Sequence, residues 1–400
     1  MLAFWKFVMS AVPTSAPGDT PVFLTLLPIT LAVFIGFLTI ALPLPVLPLY
    51  VRDTLGMSPL AVGAIMGASF LAALLSRTWS GAMADTRGAK RAAVAGFALS
   101  ALPGLAYLAS QAFDAPQGAW MLVAGRLVLG CAESLVLSGA MGWCMRLAGP
   151  KHTGKVMVWI GTAIYGAYAV GAPAGMAIYA RSGMTGIGIA SFLIPLLALG
   201  LVARRQAVAP TASHSLPFYK LLGAVWLPGL GLALSSVGFG VITAFISLLF
   251  AAKAWSNASL AFTSFGVVFI GARICFGHLP DRLGGARVAL VCVVIEAIGQ
   301  YLIWGADHAY LAYLGAALTG FGYSLAFPGF GIEAVKRAPP QNRAAAMGAY
   351  VAFLDLALGI TGPAAGALAT HSGIASVYLA GTVAVLAASL VAGRLLMRPS

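Results

Sequence analysis

The sequence has few charged residues. Of its 400 residues, 8% are Asp, Glu, Lys or Arg, whereas 60% are apolar. A soluble domain averages about 25% charged and about 45–50% apolar residues, so this composition excludes an ordinary soluble enzyme. It also excludes a disordered chain, which needs high charge and low hydrophobicity. The composition therefore indicates an integral membrane protein.

Catalytic and metal-binding motifs are also lacking. The sequence contains no G-x-S-x-G, H-E-x-x-H or G-x-G-x-x-G. The stretch GPKHTGKV at 149–156 approaches a phosphate-binding loop, but Val156 replaces the hydroxyl residue and no strand precedes it. The cysteines, none of them at metal-ligand spacing, are Cys131, Cys144, Cys275 and Cys292. We therefore expect no enzyme activity, no metal and no cofactor.

Apolar runs separated by polar breaks predict twelve membrane-spanning helices. At roughly 20 residues for each helix, twelve spans use roughly 240 residues and leave only short loops. The predicted spans are 24–49, 59–82, 92–111, 120–143, 156–178, 184–203, 222–250, 259–280, 287–305, 310–334, 344–369 and 374–393. This pattern predicts an all-α fold with no separate soluble domain.

The positive charge predicts the orientation of these spans. The net charge is +13, but the basic residues are not clustered as in a nucleic-acid-binding protein; they lie in alternate loops. If the N-terminus is cytoplasmic, 17 Lys and Arg residues lie in inner segments and three, Arg52, Arg181 and Lys253, lie in outer loops. Because cytoplasmic loops carry the excess of Lys and Arg, both termini are predicted to be cytoplasmic. Lys6 interrupts the first apolar stretch, which favours a cytoplasmic leader over a signal peptide.

A duplicated motif divides the chain into halves. The stretches RTWSGAMADTRG and RICFGHLPDRLG both read R-x-x-x-G-x-x-x-D-x-x-G. The matched residues, 196 positions apart, are Arg77 and Arg273, Gly81 and Gly277, Asp85 and Asp281, and Gly88 and Gly284. GAPAG at 171–175 and GPAAG at 362–366 match more loosely. Parallel six-span repeats are a known transporter architecture, so we predict six-helix bundles at 1–205 and 221–400, joined by a cytoplasmic linker at 206–220.

The duplicated motif resembles the cytoplasmic loop typical of the major facilitator superfamily. Arg126 followed by Gly130 in span 4 resembles that superfamily's span-4 arginine motif, and the Gly-Pro-rich end of span 5 resembles the motif of its proton antiporters. The segments 235–248 and 353–366 are most similar to the bacterial YhhS/YfcJ group of proposed exporters. Two residues depart from the family pattern: Thr86 replaces a basic residue, and Ala172 interrupts the Gly-Pro pair.

The resemblance implies two six-helix bundles related by a pseudo-two-fold axis and transport by alternating access. It also implies a monomer in the bacterial cytoplasmic (inner) membrane, with a small molecule and the lipid bilayer as partners and no nucleic acid. The residues of the duplicated motif are then a conformational latch between the halves. These residues are Arg77, Gly81, Asp85, Arg273, Gly277 and Asp281.

Ionisable residues inside a bilayer are costly and indicate function. Arg126 and Glu133 share a face of span 4, about 10 Å apart at 1.5 Å rise per residue, which suits a water-bridged relay. Asp355 lies near the middle of span 11. We predict that Asp355, Glu133 and Arg126 couple proton movement to transport, with either acid as the proton carrier. Glu333 is expected to form a local ion pair with Lys336 and Arg337, and the role of Glu296 is open.

By the same resemblance, spans 1, 4, 7 and 10 line the substrate cavity. Their small hydroxyl and aromatic residues suit an amphipathic organic solute. The predicted cavity residues are Ser134, Ser138, Ser236, Phe239, Thr243, Phe321, Tyr323 and Phe327. Aromatic residues at helical spacing also serve simple packing. No span has the paired Asn, Gln and Trp typical of a sugar transporter.

The sequence thus predicts a secondary active transporter that exports a drug, sugar or metabolite against proton entry, with the proton gradient in place of a cofactor. Two alternatives remain open. A proton symporter or facilitator for uptake would use the same machinery. A transport-inactive membrane receptor or scaffold would have little need for Glu133, Asp355 and both latch motifs.

Overall fold

A computed structural model describes residues 20–149, 152–209, 218–338 and 343–397 of the chain, and these residues are almost entirely helical and contain no β-strand. The helices that correspond to the predicted spans are Thr20–Ala41 with Val46–Leu49 (span 1), Pro59–Thr86 (span 2), Ala89–Leu99 with Leu102–Ala109 (span 3), Ala115–Ala148 (span 4), Thr153–Ala203 (spans 5 and 6), Phe218–Ala252 (span 7), Ser259–Phe276 (span 8), Gly285–Trp304 (span 9), Ala309–Lys336 (span 10), Arg343–Ser372 (span 11) and Ser376–Met397 (span 12). A short helix, Leu279–Leu283, joins spans 8 and 9.

Spans 5 and 6 are two helices that follow each other directly, and the chain turns back between them at Gly183. The backbone angles of Gly183, φ 58° and ψ −156°, are not helical, and a positive φ is accessible to glycine at little cost. Beyond the turn, a Cβ atom on Gly186 would lie 2.8 Å from Cγ2 of Ile178. In a continuous helix these residues would be about 12 Å apart, so the chain makes two antiparallel passes here.

The predicted count of twelve spans is confirmed. Ten segments of the described residues are long and apolar enough to cross a membrane, and one of these, Val156–Ala203, contains the turn at Gly183. The remaining pass is Ala309–Lys336, whose 28 residues give a length of about 42 Å. Glycine and hydroxyl residues interrupt its apolar stretch, and it is not among the ten segments.

Span 1 differs from its prediction as a single helix over 24–49. The helix ends at Ala41, residues 42–45 form a turn, and helical structure resumes at Val46. Pro43 and Pro45 explain the break, because proline lacks a backbone N–H and its ring collides with the preceding turn. A π-helical turn at Tyr50–Thr54 then carries the span past its predicted end.

The two ends of the bundle differ in charge. We call the end at which spans 2, 4 and 10 finish the basic end, because Arg87, Arg146 and Arg337 lie there. At this end Lys90 Nζ donates hydrogen bonds to the carbonyl oxygens of Ala203 (2.8 Å) and Arg205 (2.5 Å), which joins spans 3 and 6.

The predicted linker at 206–220 lies partly outside the described residues, which end at 209 and resume at 218. The bundle boundaries at 205 and 221 therefore stay predictions.

The two halves pack against each other through span 2 on span 11 and span 5 on span 8. Gly63 of span 2 and Gly362 of span 11 bring their backbones into direct contact, so that a side chain on either glycine would collide with the carbonyl oxygen of the other. Between spans 8 and 5, Thr263 Oγ1 donates a hydrogen bond to the carbonyl oxygen of Ala169 at 2.9 Å. Small residues allow such close helix packing in membranes.

Candidate functional site

An ion pair joins the two halves at mid-bundle. Arg77 Nε of span 2 donates to Asp355 Oδ2 of span 11 at 2.6 Å, and Arg77 Nη2 contacts the same oxygen. The side chains are 12% and 6% exposed, so both charges are largely withdrawn from solvent. A buried carboxylate in a membrane protein is stable when a cation faces it. Residues predicted for two different roles, the latch and the proton carrier, are thus direct partners.

Two further ionisable residues on span 4 lie close to this pair. Arg126 is 1% exposed, and its Nη2 donates to the carbonyl oxygen of Met66 in span 2 at 3.0 Å. Arg126 Nε and Nη1 make no well-formed hydrogen bond within the described residues, although the buried Tyr107 hydroxyl interacts with the Arg126 side chain. Glu133 interacts electrostatically with Asp355, Arg77 and Arg126. Two acids and two arginines from three spans therefore form one charged cluster, which we call the ionic cluster.

Aromatic side chains from both halves form a second cluster. Tyr165 of span 5 stacks on Phe269 of span 8 with ring centroids 3.6 Å apart, and Phe239 of span 7 stacks on Tyr323 of span 10 at 5.6 Å and 9°. The rings that we call the aromatic cluster are Tyr165, Tyr168, Phe239, Phe265, Phe269 and Tyr323, and Phe37 of span 1 packs edge-on against Tyr168 at their border. Because the rings come from both halves, a relative movement of the halves must rearrange them.

Sequence reasoning found only part of the aromatic cluster. Phe239 and Tyr323 were predicted as cavity residues, whereas the rings from spans 5 and 8 were not. The signal was present in the spacing: Tyr165 and Tyr168 are three residues apart, and Phe265 and Phe269 are four apart, so each pair shares a helix face.

Phe321 is not part of the aromatic cluster: it packs against Phe276 at 5.8 Å, and Phe276 is 42% exposed. Residues two positions apart on a helix point in directions about 200° apart, which explains why Phe321 and Tyr323 lie on different faces of span 10. Phe327 packs against Tyr350 at 5.6 Å.

The predicted hydroxyl residues lie on spans 4 and 7. Ser236 Oγ lies 3.4 Å from the Tyr323 hydroxyl and donates to the carbonyl oxygen of Leu232 at 2.7 Å. Thr243 donates to the carbonyl oxygen of Gly240 at 2.9 Å. Ser134 is buried, and its hydroxyl has no partner within the described residues, whereas Ser138 is partly buried. Ser236 is therefore the predicted hydroxyl that joins the aromatic cluster.

The predicted latch residues at the basic end make contacts within their own halves. Arg146 Nη2 contacts Asp85 Oδ1 at 3.3 Å, and both residues belong to the first half. In the second half Arg273 Nη2 donates to the carbonyl oxygen of Ser324 at 2.8 Å, and Asp281 is exposed. Gly277 ends span 8 and donates its N–H to the carbonyl oxygen of Arg273. In this conformation the ion pair of the motif across the halves is made by Arg77, and Arg273 also lies beside Gly161 of span 5. Latching by the two loop acids stays a prediction.

The space between the halves opens toward the basic end. Beyond Gly63, a Cβ atom on Gly67 would lie 2.8 Å from the carbonyl oxygen of Gly359, so spans 2 and 11 are in close contact there. Gly81 lies one turn beyond Arg77, and Gly348 lies two turns before Asp355, toward the basic end. A Cβ atom on either would have no described atom within 4 Å. Spans 2 and 11 thus touch at one end and diverge at the other.

The remaining acids inside spans differ in their partners. Glu333 is 5% exposed and pairs with Lys336 Nζ at 2.9 Å and Arg337 Nη1 at 3.1 Å, which confirms the predicted local ion pair. Glu296 is fully buried, and neither of its carboxyl oxygens has a hydrogen-bond partner within the described residues.

Comparisons with known proteins agree with this architecture. The sequence profile described as Major Facilitator Superfamily matches residues 29–256 and 229–400. An MFS-type transporter of Salmonella typhimurium is 42% identical over 371 residues, covering 92% of this chain and 96% of the relative. An MFS-type transporter of Pseudomonas aeruginosa is 44% identical over 380 residues, 94% of each chain. The MFS-type transporter YhhS of Salmonella enteritidis is 42% identical over 368 residues, covering 92% of this chain and 91% of YhhS.

Two solved structures have the same fold. The nucleoside transporter NupG superposes with a TM-score of 0.75 at 15% identity, and the human organic anion transporter MFSD10 (TETRAN) with a TM-score of 0.69 at 15% identity. Each match covers 93% of this chain and 99% of the other. At this level of identity the likeness concerns the fold and not the substrate.

Proposed function

The chain belongs to the major facilitator superfamily, and we propose that it is a proton-coupled transporter that exports a small organic molecule across the bacterial cytoplasmic membrane by alternating access. The observation that carries this proposal is the ion pair between Arg77 and Asp355. The pair joins the two halves at the level where the space between them begins to open. A proton that binds there therefore acts on the contact that the halves must change.

The chemistry follows from the charge of Asp355. When the carboxylate is ionised it attracts Arg77, and spans 2 and 11 are held together at this level. When a proton binds Asp355 that attraction is lost, and Arg77 becomes a buried cation without its partner, which is unfavourable. Arg77 must then find another acceptor, and Glu133 in the same cluster is an available carboxylate. Protonation thus changes which spans are joined, as a coupled transporter requires.

The ionic cluster also gives the proton and the substrate a common site. Two nitrogen atoms of Arg126 lack a well-formed hydrogen bond within the described residues, and Glu133 lies nearby. A polar substrate group that binds to these side chains alters the charge that Glu133 and Asp355 face. Substrate binding and proton binding are then linked through the same four residues, and neither needs a cofactor.

The aromatic cluster indicates the class of substrate. Its rings offer stacking surfaces, and the hydroxyl groups of Tyr323 and Ser236 offer a polar contact beside them. Flat apolar groups stack on such rings with a gain of about 0.5–1.5 kcal/mol for each pair. An amphipathic molecule with a ring at one end and a polar group at the other fits both clusters.

The proposed direction of transport, export, depends on the orientation of the protein in the membrane. By the positive-inside rule the basic end is cytoplasmic, so the open space would receive a solute from the cytoplasm. The Gly-Pro-rich end of span 5 also favours export over uptake by its resemblance to antiporter sequences. Both features support export, and a flux measurement decides.

The test uses inside-out membrane vesicles with an imposed pH gradient, acid inside, and a pH-sensitive dye. A panel of amphipathic aromatic compounds, sugars and metabolites is added in turn. An antiporter releases the gradient when its substrate is added, and Asp355→Asn abolishes that release. The matched control is Asp307→Asn, because Asp307 lies in an exposed loop with a side chain that is 83% exposed.

Three results would contradict the proposal. Normal release by Asp355→Asn would remove Asp355 from the coupling. Accumulation of the compound by intact cells would favour uptake. Absence of saturable flux for every compound, in liposomes that contain correctly folded protein, would favour the receptor or scaffold alternative.

A further inference from the structure

Glu296 of span 9 is enclosed by other helices of the second half, and we call its buried surroundings the chamber. Its side chain is fully buried, and neither carboxyl oxygen has a hydrogen-bond partner within the described residues. One turn later, Gln300 is also fully buried, and its Oε1 likewise has no partner there. Gln300 Nε2 donates to the carbonyl oxygen of Gly238 at 3.3 Å and to Thr319 Oγ1 at 3.0 Å. The chamber therefore contains three buried oxygen acceptors that lack a donor.

Glycines on three other spans make room for these side chains. A Cβ atom on Gly238 of span 7 would lie 2.8 Å from Glu296 Oε1, and one on Gly322 of span 10 would lie 2.7 Å from Glu296 Cβ. A Cβ atom on Gly381 of span 12 would lie 2.9 Å from Gln300 Oε1. A side chain at Gly238 or Gly381 would displace the carboxyl or amide group from its present position, and one at Gly322 would meet the Glu296 side chain at its base. The three glycines therefore leave space for one carboxyl and one amide.

Among the residues that the structure describes, no positive charge faces Glu296 to stabilise an ionised carboxylate. The titratable groups that face it are Cys292 on its own span, Tyr323 on span 10 and Tyr165 on span 5, and none of these is a cation. Spans 7 and 12 contribute the glycines named above. A carboxylate without a cation or a hydrogen-bond donor costs several kcal/mol in such surroundings. Glu333, by contrast, is buried beside a lysine and an arginine.

We propose that Glu296 is a second proton-binding site of the transporter, which carries an exchangeable proton and lies beside the aromatic cluster. A proton on one carboxyl oxygen turns an unpaired acceptor into a donor, and Gln300 Oε1 is the neighbouring acceptor it can reach after rotation. Sodium is a poorer occupant, because three protein oxygens leave most of a cation's coordination shell unfilled.

The chamber is connected to the aromatic cluster by sequence adjacency. Gly238 precedes Phe239, and Gly322 precedes Tyr323, and these two rings stack at 5.6 Å. The two helix positions that contact Glu296 are thus each one residue away from a ring of the stacked pair. A substrate that displaces either ring must shift the glycine beside it, and the distance between that glycine and the carboxyl group changes. Proton occupancy at Glu296 and substrate occupancy are therefore coupled through two helices of one half.

The primary test does not require transport, so it can succeed or fail independently of the proposed export. Infrared difference spectra are recorded for the full chain in liposomes, comparing the wild-type protein with Glu296→Gln. We expect the wild type to show the carbonyl band of a protonated carboxyl that Glu296→Gln lacks, and the band should shift on transfer to D2O. The matched control is Glu333→Gln, which should remove the signal of an ionised carboxylate instead.

Three outcomes overturn the proposal. Loss of a carboxylate signal in Glu296→Gln would show that Glu296 is ionised. A protonated band that does not shift in D2O would show that the proton does not exchange. Unfolding temperatures are also compared in sodium chloride and in choline chloride. A higher unfolding temperature in sodium chloride for the wild type, but not for Glu296→Gln, would show a sodium site. If Glu296→Gln does not fold, Glu296→Asp keeps the acid, and the protonated band should move instead of disappearing.

A second test measures the link to transport and rests on the proposed function. With any substrate that releases the pH gradient, Glu296→Gln should retain binding but lower the number of protons moved for each substrate molecule. If the number of protons moved for each substrate molecule does not change, although the infrared band belongs to Glu296, the proton on Glu296 has only a structural role and the coupling to transport is contradicted. If the wild-type protein transports none of the compounds, the proposed export is contradicted. The infrared result for Glu296 does not depend on that outcome.

Discussion

Arg77 and Asp355 are 278 residues apart in the sequence and form an ion pair through the same carboxylate oxygen. One belongs to the repeated motif of the first half and the other to the penultimate helix of the second half. Their contact lies between the end where spans 2 and 11 touch and the end where they diverge. A change in the charge of Asp355 therefore acts directly on a contact between the halves.

The first prediction concerns the stability of this pair. Arg77→Gln leaves Asp355 buried without a cation, and we expect the protein to lose about 3–5 kcal/mol of stability. The double variant Arg77→Gln/Asp355→Asn removes both charges and should recover most of that loss. Thermal unfolding in detergent measures all three proteins. Additive losses in the double variant would show that the two side chains do not depend on each other.

Much of the fold could be predicted from the sequence, because hydropathy and charge report where a chain enters and leaves a membrane. The alternation of Lys and Arg and the repeat at Arg77 and Arg273 together required twelve passes in two halves. The break at Pro43 and Pro45 was not predicted, since apolar composition continues through it and prolines are tolerated in spans. Composition thus predicted the passes but not their internal breaks.

The site was less predictable than the fold. Asp355 and Arg77 were both selected as unusual charges in a membrane, but their pairing depends on the rotation and register of spans 2 and 11. No pattern within either span encodes that register. The glycines at 63 and 362, which bring the two helices together, are recognisable as a contact only when both helices are seen. The same holds for the chamber around Glu296, which four spans build.

The second prediction concerns the close contact of spans 2 and 11. Gly63→Ala places a methyl group against the carbonyl oxygen of Gly362, and a backbone atom cannot move aside unless the helices separate. We expect a loss of about 1–3 kcal/mol for the conformation described here. The matched control is Gly81→Ala, where no described atom lies within 4 Å of the new methyl group and the change should be neutral or slightly stabilising. Equal effects of the two variants on the unfolding temperature would contradict the contact.

The third prediction concerns access from the basic end. In a protein whose four native cysteines are replaced, Gly81→Cys and Gly348→Cys should react with a membrane-impermeant maleimide in inside-out vesicles. Both positions lie in open space, and the basic end is predicted to be cytoplasmic. Right-side-out vesicles should leave both unlabelled. Labelling from the periplasmic side alone would reverse the orientation, and no labelling from either side would contradict the opening between the halves.

The fourth prediction concerns Asp85 and Arg146. The Asp85 side chain is 54% exposed, so its ion pair is screened by water and contributes less than about 1 kcal/mol to stability. If the repeated motif is a latch between conformations, Asp85→Asn should nevertheless slow transport several-fold while the unfolding temperature stays the same. Asp307→Asn, another exposed acid, serves as the control. Unchanged transport in Asp85→Asn would remove this acid from the conformational cycle.

The fifth prediction tests which aromatic residues face the substrate. Tyr165→Ala removes a ring that stacks on Phe269 at 3.6 Å and contacts Phe239 at 6.2 Å. A stacking contact is worth about 0.5–1.5 kcal/mol, which corresponds to a rise in KM of up to about tenfold for a ring-containing substrate. Tyr165→Phe keeps the ring and should retain the KM, unless the hydroxyl group also contacts the substrate. Phe321→Ala is the control, because that residue packs against Phe276 and not in the aromatic cluster. A larger effect on KM from Phe321→Ala than from Tyr165→Ala would place the substrate along the outer face of span 10 and contradict the aromatic cluster as its binding surface.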